Sequence, residues 1–287
     1  MLYFFHMRFG SHVSIEGGIP NAPQRAASLG CEVFQFFSRS PRGGNPSAIT
    51  ENVVSDFQAA CKKYKQTASY VHTPYFINFA SEKARIKKGS VEIVRSELFR
   101  ASQLGVKAVM THLGSAKDTT PEDAIKQTAD GVAEILKDYN GSAQLLLELS
   151  AGAGMVIGAT FEDMAVIIKK AETTLQKKNI VGVCLDTAHI FASGYDIRDK
   201  KSVNEMLKQF DKTIGLKRLM LIHANDSMIG LGEKKDRHEH IGKGKIGKAG
   251  FEALVNHPKL KQVDMVVETP SPEGMKKDIA LLKKMQG

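Results

Sequence analysis

Cysteine is scarce in this 287-residue chain: Cys31, Cys61 and Cys184 are the three, far apart and in no CxxC pair. An odd, scattered set argues against both a disulfide framework and a thiolate zinc site, and it fits a reducing, cytoplasmic compartment. No apolar run approaches the roughly 20 residues that span a bilayer, so no membrane association is expected. The N-terminal "MLYFFHMRFG" is apolar but has no basic leader and no small-residue cleavage site, so it is not read as a signal peptide. Residues 1–6 read as a short extension before the first strand. Also missing is any Gly/Pro/Ser-rich linker or abrupt change of composition, which leaves a single domain over residues 1–287. What the chain has in excess is positive charge, +9 net. That excess favours a polyanionic partner such as nucleic acid, beside the plainer reading of a soluble basic protein. Lysine runs such as "CKKYK" and "IIKKAETTLQKK" read as solvated helix faces and point to no groove.

Short runs rich in Val, Ile, Leu and Phe alternate with longer helical patterns. The runs are "RFGSHVS", "EVFQFFS", "ASYVHTP", "AVMTHLGS", "QLLLELS", "GVCLDTA", "LMLIHAND" and "MVVETPS". Helical segments are expected over Thr50–Tyr64, Val91–Leu104, Pro121–Leu136, Thr160–Lys170 and Ser202–Ile214. "TPEDA" at Thr120–Ala124 has an N-cap Thr, a Pro at the first helical position and acids in the first turn. "LG" at Leu29–Gly30 and Leu104–Gly105 reads as a glycine stop. Eight strand–helix units in one chain are what a (β/α)8 TIM barrel requires. A doubly wound open sheet is the alternative, but it normally carries a glycine fingerprint after its first strand, and none is present.

Each apolar run carries a polar residue near its C-terminal end: His12, Gln35, His72, His112, Glu148, Asp186, His223 and Glu268. In a barrel these ends converge on the face that holds the active site. Burying them together without a counter-ion would cost several kcal/mol per charge, so a cation is expected among them. Imidazoles mixed with carboxylates suit zinc, with manganese or iron as alternatives; magnesium sites favour carboxylates. His189, and Asp236 with His238 in "KKDRHEHIG", are further candidates, expected in loops. Leaving out His12 and Gln35, nine potential ligands remain, more than the three or four of one tetrahedral site, so two or three metals are expected. Clustered metals serve phosphoester hydrolysis, and with the basic charge they point to nucleic acid.

The blocks "GSHVSIEGGIPNA", "HTPYFINFA", "THLGS", "LELSAGAG", "VCLDTAHIFASGYD", "HANDS", "DRHEHIGKGKIG" and "VVETPSPEG" run nearly end to end. In these the chain resembles the endonuclease IV family of metal-dependent apurinic/apyrimidinic endonucleases. The resemblance implies three Zn2+ per chain, with Mn2+ or Fe2+ as substitutes at one or more sites. It assigns one metal to His72, His112 and Glu148, and a second to Glu148, Asp186, His223 and Glu268. The third goes to His189, Asp236 and His238. His240 matches no ligand position, and His12 fits a supporting or DNA-facing role.

The resemblance further implies hydrolysis of the phosphodiester 5′ to an abasic site in duplex DNA, leaving a 3′-hydroxyl and a 5′-deoxyribose phosphate. Trimming of blocked 3′ ends would use the same centre, and the chain is expected to act as a monomer. Glu148 and Glu268 would orient or deprotonate the nucleophile. Arg42, Tyr75 and Phe76 would enter the minor groove beside the flipped-out abasic nucleotide, an aromatic wedge replacing lost stacking. Gly43–Gly44 after Arg42 departs from the bulkier residue often found there in the family and bears on the stiffness of that loop. Two other readings compete. A sugar isomerase on the same kind of barrel would have a more acidic site and a lysine for substrate. A non-catalytic damage binder would have lost at least one ligand.

Overall fold

The computed structural model describes residues 6–286, so residues 1–5 of the expected N-terminal extension lie outside the described residues. β1 (Phe9–His12) leads through α1 (Ala22–Ser28) to β2 (Val33–Phe36), and α2 (Glu51–Lys63) to β3 (Ala68–His72). α3 (Ala84–Leu104) connects to β4 (Ala108–Thr111), α4 (Pro121–Leu136) to β5 (Gln144–Glu148), and α5 (Phe161–Leu175) to β6 (Val181–Asp186). α6 (Thr187–Ser193) and α7 (Lys200–Thr213) precede β7 (Leu219–His223), which is followed by two short strands, β8 (Asp226–Ser227) and β9 (His238–Glu239). α8 (Gly247–Val255), β10 (Asp264–Val267) and α9 (Pro272–Met285) complete the chain.

The strands β1, β10, β7, β6, β5, β4, β3 and β2 pair in that order, all parallel, into a closed barrel. The fold is the (β/α)8 TIM barrel expected from the sequence, because eight strand–helix repeats close where an open sheet would leave two edges.

Local chemistry sets the helix ends. The Thr120 hydroxyl accepts a hydrogen bond from Asp123 N at 3.2 Å, with Pro121 at the first helical position, and α4 starts there. Gly105, at φ 76°, takes the left-handed conformation that ends α3. α3 begins at Ala84, earlier than the expected Val91, because its first turns are basic and exposed and show no apolar period. No helix among the described residues is long and apolar enough to cross a membrane.

Alternation along each strand produces two cores. Leu145 and Leu147 of β5 face the helices, whereas Leu146 joins Val33, Tyr70, Ala108, Met110, Cys184, Leu221 and Val266 inside the barrel. At the N-terminal end, buried Asp264 accepts from Arg8 Nε and Nη2, both at 2.7 Å, from the Tyr70 hydroxyl, and from Lys107 Nζ at 3.3 Å. This ionic plug leaves the opposite end for function.

Candidate metal centre

Inward parity continues beyond the apolar layer. Two residues after each inward core side chain comes a polar one: Val33 then Gln35, Tyr70 then His72, Met110 then His112, Leu146 then Glu148. Cys184 is likewise followed by Asp186, Leu221 by His223 and Val266 by Glu268. Each lies within one position of the end of its strand, so they share the carboxyl-end mouth of the barrel. A register shift between Val183 and Cys184 brings Asp186 opposite His223.

Glu148 sits at the centre, fully buried. Its Oε1 lies 2.9 Å from His223 Nδ1 and 3.6 Å from His189 Nδ1. Its Oε2 lies 3.2 Å from His72 Nε2 and 3.7 Å from His112 Nε2. Potential ligand atoms within 4.8 Å of one another form His72–His112–Glu148, Glu148–Asp186–His223–Glu268 and Asp186–His189–His238. Asp236 Oδ2 and Oδ1 lie 3.2 Å from His189 Nε2 and His238 Nε2 respectively, so Asp236 joins the last set from the solvent side. The structure therefore brings all nine residues around one cleft.

Two of these residues occupy regular structure where loops were expected. His189 lies in α6, a short helix begun when the Asp186 side chain accepts from His189 N at 2.9 Å. One carboxylate thus ends a strand, caps a helix and turns the imidazole back toward the mouth. His238 lies in β9, which pairs antiparallel with β8 through Asp226–Glu239 and Ser227–His238. Cys184, read from sequence only as an isolated cysteine, lies within ligating distance of Glu148 and His223 beneath the cluster. Burial pushes its thiol up to about 12, so it stays protonated.

The donor set suits a cation. Burial alone would lower the His189 ring, but Asp186, Asp236 and Glu148 raise it to about 10. His238 responds in the same way to Asp186 and Asp236, reaching about 9. Burial opposes ionisation of Glu148, yet His112 and His223 hold its carboxyl well below the ordinary range. For His112 burial prevails and its pKa falls, because no carboxylate oxygen comes within hydrogen-bonding distance. His238 Nε2 is buried between Asp236 Oδ1 at 3.2 Å and Asp186 Oδ2 at 3.5 Å, close enough to pair with both but without a well-directed hydrogen bond to either. Imidazole nitrogens and carboxylates, with one such nitrogen unsatisfied, are the donors that borderline divalent ions take.

Amide side chains brace the donors. Gln35 Oε1 accepts from His223 Nε2 at 2.7 Å, and its Nε2 donates to Glu268 Oε1 at 2.6 Å beside His12 Nδ1 at 2.9 Å. The Gln35 contact turns His223 Nδ1 toward the carboxylates. Asn225 donates to Asp186 Oδ2 at 2.7 Å and accepts from Glu268 N at 2.8 Å. Sequence reasoning singled out Gln35 as a strand-end residue without this role, and it passed over Asn225 within "HANDS". His12 stands beside the cluster, with Nδ1 3.8 Å from Glu268 Oε1. His240 stands apart, with Nδ1 2.7 Å from Asp278.

The mouth is a cleft of about 420 Å³ lined by seven of the nine, His72, His112, Glu148, His189, Asp236, His238 and Glu268, together with His12, Tyr75, Arg237 and Met275; Asp186 and His223 lie beneath it. A second cleft of about 380 Å³ shares His112, His189 and Asp236 and is walled by Tyr75, Phe76 and Val156. A larger groove, about 620 Å³, lies between α5 and α7 at the opposite end. Its charged lining is lysine plus the Glu172–Arg218 ion pair, so ligand chemistry resides at the mouth. Tyr75 is 64% exposed and Phe76 45%, too open for loop packing to explain both. The Tyr75 ring nevertheless packs edge-on to Phe37 at 5.2 Å and near His72 at 5.8 Å, which places it beside the strand-end cluster. Arg42 is exposed in the neighbouring loop, where Gly43 lies against the Phe76 ring.

Residues 23–285 match a family model described as a xylose isomerase-like TIM barrel. A relative from Halothermothrix orenii named "Probable endonuclease 4" is 37% identical over 276 residues, covering 96% of this chain and 98% of its own. The crystal structure of endonuclease IV from Thermus thermophilus superposes with a TM-score of 0.85 at 31% identity, covering 97% of this chain and 98% of that one. A D-tagatose 3-epimerase-like protein reaches a TM-score of 0.71 at 19% identity, covering 97% of each chain, a likeness of fold alone. A 37% identity that runs over nearly the whole chain, together with the strand-end cluster, decides the matter: the chain belongs to the endonuclease IV family of metal-dependent apurinic/apyrimidinic endonucleases.

Proposed function

We propose that this protein is a DNA-repair endonuclease that hydrolyses the phosphodiester 5′ to an abasic site in duplex DNA and also trims blocked 3′ ends. The products are a 3′-hydroxyl and a 5′-deoxyribose phosphate, and the chain works as a monomer with three Zn2+. One observation carries this reading: nine imidazoles and carboxylates meet at one barrel mouth, with Glu148 shared between neighbouring donor sets. His72, His112 and Glu148 would hold one ion, and Glu148, Asp186, His223 and Glu268 another. The third would be held by His189, Asp236 and His238. When bound, such ions lower the pKa of an attacking water and neutralise phosphoryl charge.

The chain's own groups do the rest. Glu148, fixed by burial, and Glu268, fixed by Gln35 and Asn225, orient the nucleophile and take its proton. Tyr75 and Phe76 replace the missing base in the stack, and Arg42 follows them into the minor groove. His12 lines the same cleft and supports Glu268. The net charge of +9 favours the approach of a polyanion.

A sugar epimerase or isomerase is the second reading, favoured by the fold likeness and by the name of the family model. Five imidazoles among the nine ligands, and no lysine among the described residues lining the mouth, count against it. The test is a duplex carrying one abasic site, labelled on the lesion strand, beside a panel of ketoses. Cleavage 5′ to the lesion with a 3′ end that a polymerase extends supports the nuclease. Sugar turnover without incision replaces it.

A further inference from the structure

Asp226 is fully buried three residues beyond His223, matches no ligand position and reaches no ligand side chain. The chain wraps around it. Its Oδ1 accepts from Ser227 N at 2.8 Å and Ile246 N at 3.0 Å, and its Oδ2 from Gly242 N at 2.9 Å and Gly244 N at 3.0 Å. Gly247 N approaches both oxygens, at 3.4 and 3.3 Å. Amides from 16 to 21 residues downstream therefore converge on one carboxylate. A side chain at Gly244 would put its Cβ 2.5 Å from Asp226 Oδ1, so the loop closes this tightly only with glycine there. The segment so held begins with β9, whose His238 pairs with Ser227 while Asp226 pairs with Glu239, and Met228 N donates to Arg237 O at 3.0 Å.

We infer that Asp226 is a positioning residue: its carboxylate is the template on which the 236–247 loop folds, and it thereby sets Asp236 and His238 beside His189. This deepens the proposed three-metal centre and rests on that reading. A buried anion that satisfies several backbone donors is hard to replace, since a neutral acceptor leaves amides unpaired. The other two donor sets come from the strand ends of the barrel and take no residue from this loop, so the effect falls first on the third. Supports of this kind typically alter metal affinity or activity by about 10- to 100-fold.

The test compares wild type, Asp226→Asn and Gly244→Ala by amide hydrogen exchange, by zinc per chain after dialysis, and by incision of abasic duplex. Gly244→Ala disturbs the same contact from the opposite side, which keeps the test alive should Asp226→Asn fail to fold. The expected result is faster exchange at residues 242–247, zinc falling from three toward two per chain, and kcat down about 10- to 100-fold with KM little changed. The double variant is expected to be little worse than either single variant, because both act through one contact. A folded variant with faster loop exchange but full zinc content and normal kcat overturns the positioning role and leaves the function intact. A wild-type protein that neither holds zinc nor incises abasic DNA overturns the functional reading itself.

Discussion

Replacing Glu148 by Gln keeps the shape of the most central side chain in the cluster and removes its charge. In the wild type its two oxygens lie 2.9 Å from His223 Nδ1 and 3.2 Å from His72 Nε2, and the residue is fully buried. The amide offers one weaker acceptor and one donor, and the donor end must face an imidazole nitrogen that needs an acceptor or a metal. Leaving a buried charge without its partner costs about 3–5 kcal/mol, so the metal-stripped variant should melt several degrees lower near neutral pH. Loss of one preorganised electrostatic group in an active site lowers kcat by about 10²- to 10³-fold, or about 2.7–4 kcal/mol. Because Glu148 belongs to two donor sets, the upper end of that range is expected. Binding should survive, since Tyr75, Phe76 and Arg42 are exposed on loops that make no contact with its carboxylate. Single-turnover incision and fluorescence anisotropy on the same abasic duplex separate the two effects. A variant that cleaves within tenfold of wild type would refute the bridging role.

Other expectations follow from single features. Tyr75→Ala should weaken discrimination between abasic and intact duplex by about tenfold, within the value of one base–aromatic stack, with zinc content unchanged. Equal loss on both duplexes would assign Tyr75 to general binding. Asp264→Ala should cost about 3 kcal/mol of stability by stranding Arg8 and Tyr70 at the far end of the barrel, leaving kcat at the wild-type value; urea unfolding measures the first and incision the second. His189 and His238, raised to about 10 and about 9 in the metal-free protein, are protonated at neutral pH. Their ion pairs therefore stabilise the metal-free fold fully below the unfolded pKa of about 6.5, and that contribution fades as pH rises through 9 to 10. Zinc must displace these protons, so its affinity should rise with pH over the same window. Calorimetry in buffers of different ionisation enthalpy should detect the release, and identical heats in all buffers would contradict it.

Most of the barrel and its strand-end polar residues were legible for one reason: a parity break inside an apolar run is local. Glu148 after Leu146 and His223 after Leu221 fall on the inward positions of their strands, so pattern alone aims them at the axis. The start of α4 was equally legible, because Thr120 and Pro121 carry the signal within one turn. Features that depend on distant partners were not. α6 is seven residues long, too short for a period to show, and its start depends on the Asp186 side chain. β8 and β9 are two residues each, and their pairing is fixed by loop amides gathered on Asp226 from far downstream. Nor could any local pattern assign Gln35 to His223, 188 residues away. The early turns of α3 were missed for the opposite reason: a helical segment exposed on nearly all sides leaves no apolar trace.

If these nine side chains form one three-metal centre that cleaves beside an abasic site, incision must follow metal loading. Stepwise addition of zinc to the stripped protein, with bound metal and incision followed on each sample, tests it most directly. Little cleavage is expected at one equivalent, and full cleavage 5′ to the lesion only as the third equivalent binds. Full activity at one equivalent, or three bound ions with no incision, would contradict it.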